Sequence, residues 1–347
     1  MKKILKLLFL IFGSFIGLLT ILFVCLMIFG KGNLLMPVAK KEVFTDDNLS
    51  QYPSPLHTEK NKIVNLAGET VLLKGLMVPE LQKLNYEGNF KESFFEEVFA
   101  CGGNVIRIPI HPEEWVADEY YLWRYLDSVV AWAGKNEKYV IIDLHFIGNI
   151  ENGTGAEMAD VGEAPYEFSI NFWNTVASYF KDVPNVIFEI YNEPAMISDT
   201  RWKSCAQTLV DTIRETGATQ LILVSGIDYS YDISIWENHP IQDENVAYTS
   251  HIFPNRYGWK NELSSLSNLY PVLVTEWGFI SEEGFAKQTY LSGNRTTYGE
   301  PLANYMEENG IGWIACWYDD GWEPPMFLDE RTELTDWGQF VMELLKE

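Results

Sequence analysis

Two glutamates at the ends of buried strands are the side chains best suited to chemistry in this sequence. Glu193 comes after the mostly apolar run 186–191, and Glu276 follows the run 272–275. Two carboxylates without a metal are able to break a glycosidic bond, because one protonates the leaving oxygen while the other attacks the anomeric carbon. A gap of about 5–5.5 Å between the carboxylates means retention of configuration, and a gap of about 6.5–9.5 Å means inversion.

Polar and aromatic side chains stand at the ends of other buried runs as well. Arg107 and His251 are suited to keeping a nucleophilic carboxylate ionised. Asn192 offers an amide to a sugar hydroxyl, and Trp317 offers a ring face to a sugar. One such residue alone is more often part of a core or a structural ion pair, so the prediction depends on the whole set. The predicted substrate-binding residues are Arg107, His145, Asn192, Tyr248, His251, Trp277, Trp317 and Trp322.

The strand-helix order predicts how these residues come together. From residue 61 onward, short apolar runs alternate with longer amphipathic stretches, which predicts an α/β fold with a parallel sheet covered by helices. Eight strands favour closure into a (β/α)8 TIM barrel, and the polar residues at the C-terminal strand ends favour it over an open doubly wound sheet. The predicted strands are 73–78, 104–110, 139–144, 186–191, 221–225, 246–251, 272–276 and 311–317, after a small hairpin over 63–73. The predicted helices are 90–100, 121–135, 172–180, 203–215, 302–308 and 336–345.

The first 32 residues predict a transmembrane helix in front of the barrel. The run 7–30 is apolar apart from Ser14 and Thr20, and as a helix it exceeds the ~30 Å hydrocarbon core of a bilayer. It is also longer than the apolar part of a cleavable signal peptide, and no small-x-small exit follows it. We therefore predict a signal anchor over 1–32, a tether over 33–60 and a folded domain over 61–347. The lysines before the apolar run favour an extracytoplasmic domain on a single-pass membrane protein.

Composition and spacing exclude several other classes of function. The net charge of −24, with every acidic residue after position 41, repels nucleic acid and anionic polymers, and it favours solubility or a neutral substrate. We expect no metal and no cofactor, since the sequence has no Cys/His cluster at zinc spacing and no glycine-rich phosphate loop after a strand. The four cysteines do not indicate a disulfide framework. The oligomeric state stays open.

The loops at the C-terminal strand ends carry further candidates. The loop 146–165 is long, glycine-rich and acidic, which favours a lid that faces the substrate. Calcium binding by Glu151, Glu157 and Asp160 is a weaker alternative than a solvated loop. Additional aromatic residues are candidate platforms for sugars, although packing in the core or at the rim explains each of them equally well: Trp115, Tyr257 and Trp259.

Five motifs in this order resemble glycoside hydrolase family 5, the cellulase family, from about residue 62 to the end. They are Asn-Val-Ile-Arg-Ile-Pro at 104–109, Ile-Asp-Leu-His at 142–145, Asn-Glu-Pro at 192–194, Thr-Glu-Trp-Gly at 275–278, and Trp317. The resemblance implies a retaining β-glycosidase in which Glu193 is the acid/base and Glu276 is the nucleophile. It also implies that the reacting subsite is lined by Arg107, His145, Asn192, His251 and Trp317.

One position departs from the family pattern. The family usually has His-x-Tyr on the sixth strand, with the tyrosine hydroxyl reaching the nucleophile, whereas this chain has Phe253 two residues after His251. Tyr248, Tyr257 or Tyr229 are the candidates to supply a hydroxyl from another direction.

The expected function is hydrolysis of a cellulose-like β-glucan or of a β-mannan through a covalent glycosyl-enzyme. The alternatives are a weak or inactive carbohydrate-binding or envelope polysaccharide assembly protein, and a transglycosidase.

Overall fold

The computed structural model describes residues 44–155, 161–281 and 287–346 of the chain. The predicted anchor over 1–32 lies outside these ranges, and so does the predicted tether up to residue 43. Within the described ranges, no helix combines the length and the apolar character that crossing a bilayer requires. The gaps at 156–160 and 282–286 fall between barrel strands in the sequence.

Eight parallel strands form a closed barrel and follow one another around the ring in sequence order. The prediction of a (β/α)8 barrel is confirmed, and the open doubly wound sheet is wrong. Each predicted strand is present within a few residues of its predicted bounds. Numbered first to eighth along the chain, the strands are Lys74–Met77, Val105–Ile110, Tyr139–Leu144, Val186–Glu189, Ile222–Ser225, Val246–Ile252, Val272–Trp277 and Gly312–Ala315.

Helices cover the outside of this ring. The longer ones are Glu92–Ala100, Asp127–Lys135, Pro165–Phe180, Asp199–Glu215, Trp259–Ser267, Glu300–Glu308 and Asp336–Leu344. Shorter α-helical, 3-10 and π-helical segments are Asp46–Leu49, Leu81–Tyr86, Pro112–Ala117, Leu122–Leu126, Ile227–Ser230, Ser234–Trp236, Thr289–Leu291, Arg295–Gly299 and Asp329–Arg331. The helix predicted over 172–180 begins earlier, because Pro165 is well suited to the first helical turn, where its missing N–H is not needed.

Side chains alternate between two cores along each strand. Val105, Ile141 and Ala247 pack in the cluster inside the barrel. Their neighbours on the strands, such as Ile106 and Tyr248, pack in the cluster between the barrel and the helices. Because successive residues of a strand point to opposite faces, only every second residue reaches the barrel interior. The interior positions near the C-terminal strand ends therefore decide which polar groups meet.

The seventh strand carries one extra residue relative to the sixth. His251 is paired with Glu276, but the residue before His251 is paired with Val274, so Thr275 has no partner in the register. The pairing with the eighth strand is irregular over the same residues. A bulge of this kind changes the direction of the side chains that follow it. Both Thr275 and Glu276 consequently reach groups inside the barrel.

Three small two-stranded sheets flank the barrel. The hairpin before the first strand pairs His57–Glu59 with Lys62–Val64, which is earlier in the sequence than predicted, and Val71 joins it through one hydrogen bond to Ile63. A parallel pair holds the chain on either side of the site, because Ile147–Gly148 is paired with Glu193–Pro194. The third sheet, near the C-terminus, pairs Phe327–Leu328 with Glu333–Leu334.

Candidate active site

Arg107 lies at the centre of the polar groups inside the barrel and is completely buried. Its Nη1 donates to Glu276 Oε1 at 2.7 Å, and its Nε donates to Glu189 Oε2 at 2.6 Å. Its Nη2 donates to Asn192 Oδ1 at 2.8 Å and lies 3.0 Å from Asp143 Oδ2. The guanidinium thus orients the three carboxylates and one amide from a single position, as its rigid fork of donors allows.

The two predicted catalytic glutamates lie close to each other in this part of the barrel. One oxygen of Glu193, one of Glu276 and a nitrogen of His251 lie within 4.8 Å of one another. His251 Nδ1 is 2.8 Å from Glu193 Oε1 and 3.8 Å from Glu276 Oε2. Burial raises the pKa of Glu276, while His251 and Arg107 lower it and Glu193 raises it further. With an oxygen of each carboxylate within 4.8 Å of the other, the gap is shorter than the separation of about 6.5–9.5 Å that inversion requires.

A second set of groups forms the wall next to Asn192. His145 Nδ1 is 2.6 Å from Asp143 Oδ2, and burial lowers the pKa of His145 well below its usual range. Burial raises the pKa of Asp143 to about 6, against the lowering effect of Arg107. A neutral His145 that donates from Nδ1 to Asp143 keeps Nε2 as an acceptor.

Rings extend this wall outward. The imidazoles of His111 and His145 are stacked at 4.9 Å, and the His111 ring is stacked on Trp322 at 5.4 Å. Trp322 in turn meets Trp317 edge to face at 4.8 Å. Trp317 donates from its indole Nε1 to the backbone oxygen of Glu323. This row of rings gives one side of the site the apolar faces that sugar rings pack against.

Two adjoining cavities meet at Glu193, and they are named after the roles predicted for Glu276 as nucleophile and for Glu193 as acid. The nucleophile-side cavity has a volume of about 330 Å³ and is lined, among others, by His145, Asn192, Glu193, Glu276, Trp317 and Trp322. The acid-side cavity has a volume of about 360 Å³ and is lined, among others, by Glu193, Tyr229, His251, Asn255 and Arg256. The wall common to both consists of Ile147, Glu193, Phe253, Gln288 and Tyr290. Together they form a cleft that extends to either side of Glu193.

The acid-side cavity is bordered by a turn with unusual backbone angles. Asp228, Tyr229 and Ser230 have φ values of 55°, 59° and 58°. Three consecutive residues other than glycine in this region are strained, and such strain persists where the surrounding structure imposes it. Here Arg256 pairs with Asp228 at 2.7 Å, and the Ser230 hydroxyl donates to the backbone oxygen of Asn192. The turn is thereby tied to the end of the fourth strand.

Three of the predicted binding residues do not line either cavity, and one of them is the fully buried Arg107, which contacts Glu276 and Asn192 instead. Tyr248 is buried on the outer side of the barrel, where its ring stacks on Trp236 and its hydroxyl accepts from the backbone N–H of Ile241. Trp277 is also fully buried and packs edge to face on Trp313 and Trp337. Tyr248 lies an odd number of residues from His251, and Trp277 is next to Glu276, so both side chains point away from the interior. The prediction that they contact substrate is corrected accordingly.

The other aromatic candidates are distributed more widely. Trp115 packs on Phe172, and Trp259 packs on Tyr305, so both contribute to contacts between helices. Tyr257 is 94% exposed, which leaves Tyr229 as the one of the three proposed hydroxyl donors that lines a cavity with Glu193. Of the predicted calcium ligands, Glu151 pairs with Arg201, whereas residues 157 and 160 lie outside the described ranges.

The groups that could hold a metal in the described part of the chain are the site groups themselves. Glu193, His251 and Glu276 present their donor atoms within 4.8 Å of one another. His251 Nδ1 is already within hydrogen-bond distance of Glu193, so a metal would have to replace that contact. The absence of a metal stays a prediction.

Several functional neighbours were not predicted from the sequence. His111 directly follows the second strand, and Asp143 lies two residues before His145 on the same strand face, so the pattern of polar residues at strand ends contained a signal for both. Glu189 and Thr275 interrupt apolar strands in the same way. Gln288 and Tyr290 follow the seventh strand at a distance and carry no such signal.

Comparison with known proteins agrees with this arrangement. Residues 64–320 match the family model described as cellulase (glycosyl hydrolase family 5). Endoglucanase Z of Dickeya dadantii (strain 3937) is 28% identical over 230 residues, which are 64% of this chain and 48% of the relative. Endoglucanase A of Butyrivibrio fibrisolvens is 27% identical over 69% of this chain and 55% of its own length. The chain thus spans about half the length of these curated relatives.

A solved structure has the same fold. The crystal structure of a beta-glucanase from Saccharophagus degradans in complex with cellotetraose superposes with a TM-score of 0.81 at 25% sequence identity. The match covers 90% of this chain and 98% of the beta-glucanase chain.

Proposed function

The chain belongs to glycosyl hydrolase family 5, and from this membership we propose that it hydrolyses a β-linked glucan with retention of configuration. The observation that carries the proposal is the approach of the Glu193 and Glu276 oxygens to within 4.8 Å. That gap leaves room for direct attack on the sugar but not for a water between carboxylate and anomeric carbon. The endoglucanase names of the relatives and the cellotetraose in the related structure support glucan as the substrate class.

The geometry supports a double displacement. Glu193 gives its proton to the glycosidic oxygen while the bond from that oxygen to the anomeric carbon breaks, and a Glu276 oxygen forms a bond to the same carbon. Water then gives a proton to Glu193 and its oxygen to the anomeric carbon, which releases Glu276 as a carboxylate. Arg107 stabilises Glu276 in its ionised form at both ends of this cycle.

Asn192 is held for a substrate contact. Its Oδ1 accepts from Arg107, so the two N–H groups of its amide are left for other acceptors. A sugar hydroxyl next to the reacting carbon is such an acceptor, and a hydrogen bond there strengthens in the transition state. Asn192 lines the nucleophile-side cavity together with Trp317, which offers the ring face.

The cleft supports cleavage within a chain. Because the two cavities continue on both sides of Glu193, sugar units have room on both sides of the broken bond. The nucleophile-side cavity would hold the sugars that bond to Glu276, and the acid-side cavity would hold the departing part. We therefore expect endo-acting hydrolysis, in which the average length of the polymer falls before free disaccharide accumulates.

The test is an assay of the full chain on a panel of polymers. Reducing-sugar release would be measured on β-1,4-glucan, β-1,3-glucan, β-mannan and xylan, and proton NMR would follow the anomer released first. We expect cleavage of a β-glucan with initial release of the β-anomer. Release of the α-anomer would contradict retention, and cleavage of mannan or xylan alone would contradict the substrate class.

Matched variants assign the result to the site. Glu193→Gln and Glu276→Gln should each abolish polymer cleavage, whereas Glu96→Gln, on an exposed helix face, should not change it. Binding of a glucan without cleavage by the unmodified chain would favour a carbohydrate-binding protein. In that case Phe253→Tyr, which adds a hydroxyl to the wall common to both cavities, would be the first variant to test for recovered activity.

We also propose that the apolar segment 7–30 anchors the chain in a membrane, with the barrel on the extracytoplasmic side. The support is the length of the segment and the lysines in front of it. Fractionation of cells that express the full chain should find it in the membrane, and protease added outside the cytoplasmic membrane should degrade the barrel. Recovery of the full chain in the soluble fraction would contradict the anchor.

A further inference from the structure

A line of four hydrogen-bond contacts connects Glu193 to Arg107 at the centre of the barrel. His251 Nδ1 lies 2.8 Å from Glu193 Oε1, and His251 Nε2 lies 3.1 Å from Thr275 Oγ1. The Thr275 hydroxyl donates to Glu189 Oε1 at 2.8 Å. Arg107 Nε donates to the other oxygen of Glu189 at 2.6 Å. His251, Thr275 and Glu189 are each at most 2% exposed, so water does not replace these contacts.

The donors and acceptors in this line allow one arrangement of protons for a neutral imidazole. Glu189 accepts on both oxygens, so the single hydroxyl proton of Thr275 is engaged with Glu189. Thr275 Oγ1 can then only accept from His251, which places the ring proton on Nε2. A neutral His251 with its proton on Nε2 has a lone pair on Nδ1. Glu193 must therefore be the donor in its contact with His251, which requires Glu193 to be protonated.

The surroundings of His251 keep the ring neutral. Burial lowers the pKa of His251, and Arg107 lowers it further, while the carboxylates of Glu276, Glu189 and Asp143 raise it. These are the charged groups that face the ring from the second, third, fourth and seventh strands, and Glu193 faces it from the end of the fourth. Thr275 reaches the ring because it is the extra residue of the seventh strand, so the bulge itself makes the contact possible.

We propose that Thr275 and Glu189 are positioning residues that hold His251 with its proton on Nε2 and thereby keep Glu193 protonated. The inference rests on the proposed function, in which Glu193 protonates the leaving oxygen. During the first step the Glu193 carboxyl group turns toward the substrate, and its proton goes to the glycosidic oxygen as the bond to the anomeric carbon breaks. No proton has to move between Glu189, Thr275 and His251 in this step, because these contacts only fix which nitrogen of His251 carries the proton.

The first test compares the full chain with its Thr275→Val variant. Without the hydroxyl, His251 is free to place its proton on Nδ1 and to donate to an ionised Glu193, which lowers the pKa of Glu193. We expect the alkaline limb of kcat/KM to move to lower pH by about one unit. We also expect the variant to lose roughly tenfold or more on glycosides with a strongly basic leaving group and little on aryl glycosides with a weakly basic one.

Control variants separate this effect from a loss of structure. Thr275→Ser keeps the hydroxyl and should restore both the pH profile and the dependence on the leaving group. Thr249→Val removes another buried threonine hydroxyl inside the barrel, one without a hydrogen-bond partner among the described residues, and should change neither. A Thr275→Val variant with the profile and leaving-group dependence of the unmodified chain would overturn the proposal.

A second measurement does not depend on activity. Nitrogen-15 NMR of the full chain in detergent, labelled at its five histidines, should show His251 with a protonated Nε2 and a bare Nδ1 at neutral pH, with His251→Gln to assign the signals. A protonated Nδ1 or an imidazolium would overturn the proposal.

The Glu193→Ala variant distinguishes failure of the proposed function from failure of the positioning role of Thr275 and Glu189. If its loss of activity does not depend on the leaving group, the proposed role of Glu193 is wrong; if it does while Thr275→Val does not, only the positioning line is wrong.

Discussion

Glu276 and Glu193 approach one cleft from the ends of the seventh and fourth strands, yet the groups around them differ. Glu276 accepts from the permanently charged Arg107 at 2.7 Å. Glu193 meets His251 at 2.8 Å, and that ring is kept neutral by burial. A cation next to a carboxylate favours its ionised form, whereas a neutral ring nitrogen with a lone pair favours a protonated partner. In the proposed function, the neighbours of the two glutamates and not their residue type distinguish the nucleophile from the acid.

The largest effect is expected from removing the cation on the Glu276 side. Arg107→Met leaves the buried carboxylates of Asp143, Glu189 and Glu276 without their shared partner. Breaking a buried ion pair in this way costs about 3–5 kcal/mol of stability, and activity should fall below detection. Denaturant unfolding and kcat of the full chain measure both effects. Arg201→Met, which breaks an exposed pair with Glu151, should leave the unfolding midpoint unchanged, and an equal loss in the two variants would refute the special position of Arg107.

The pH dependence of activity tests the surroundings of Glu276, the proposed nucleophile. Burial raises the pKa of Glu276 above its ordinary value of 4.5, and Glu276 must be ionised to attack. Activity should therefore be lost as the pH falls through this raised pKa, so the acid limb of kcat/KM should lie above pH 4.5. Asp143 is one of the charges that raise this pKa, and Asp143→Asn should move the acid limb to lower pH.

A matched variant controls for the loss of a buried carboxylate. Asp118 is also buried and paired with an arginine, at 2.6 Å from Arg124, but it lines neither cavity of the cleft. Asp118→Asn should leave the acid limb in place. A shift of the same size in both variants would mean that the acid limb does not report Glu276.

A smaller effect is expected at the aromatic wall. Trp322→Ala removes a ring that lines the nucleophile-side cavity, and the lost contact of about 0.5–1.5 kcal/mol should raise KM by roughly two- to tenfold with little change in kcat. Tyr248→Phe removes a hydroxyl on the outer side of the barrel and should leave KM unchanged. Steady-state kinetics on a soluble cello-oligosaccharide compares the two. A higher KM in Tyr248→Phe would contradict the placement of the Tyr248 side chain on the outer side of the barrel, away from the substrate.

The smallest effect is expected from metal removal. Glu193, His251 and Glu276 come close enough for a metal, but the proposed reaction uses them as acid, partner of the acid and nucleophile. Treatment of the full chain with a chelator should leave kcat and KM on glucan unchanged. Loss of activity that returns on adding a divalent ion would show that the two carboxylates act through a metal instead.

Much of the site was predictable from the sequence because barrel closure follows from a repeated local pattern. Alternation of short apolar runs with amphipathic stretches predicts parallel strands, and the C-terminal ends of parallel strands meet at one end of a barrel. Glu193, Glu276 and Arg107 were identified on that basis, and the structure brings them into contact range. The same alternation, applied residue by residue, would have excluded Tyr248, whose position on its strand points outward.

The contacts that distinguish the two glutamates arise only when the strands pack into the barrel. The gap between the carboxylates depends on the tilt and register of strands that are far apart in the sequence. The extra residue at Thr275 is visible only against the neighbouring strands, since a bulge is a property of pairing and not of one segment. Tyr290 lines the cleft from the long connection after the seventh strand, where the sequence has no helical or strand periodicity that would predict its position. The residue types at the strand ends are set by the sequence alone, whereas the packing of the barrel sets which of them lie within hydrogen-bond distance of one another.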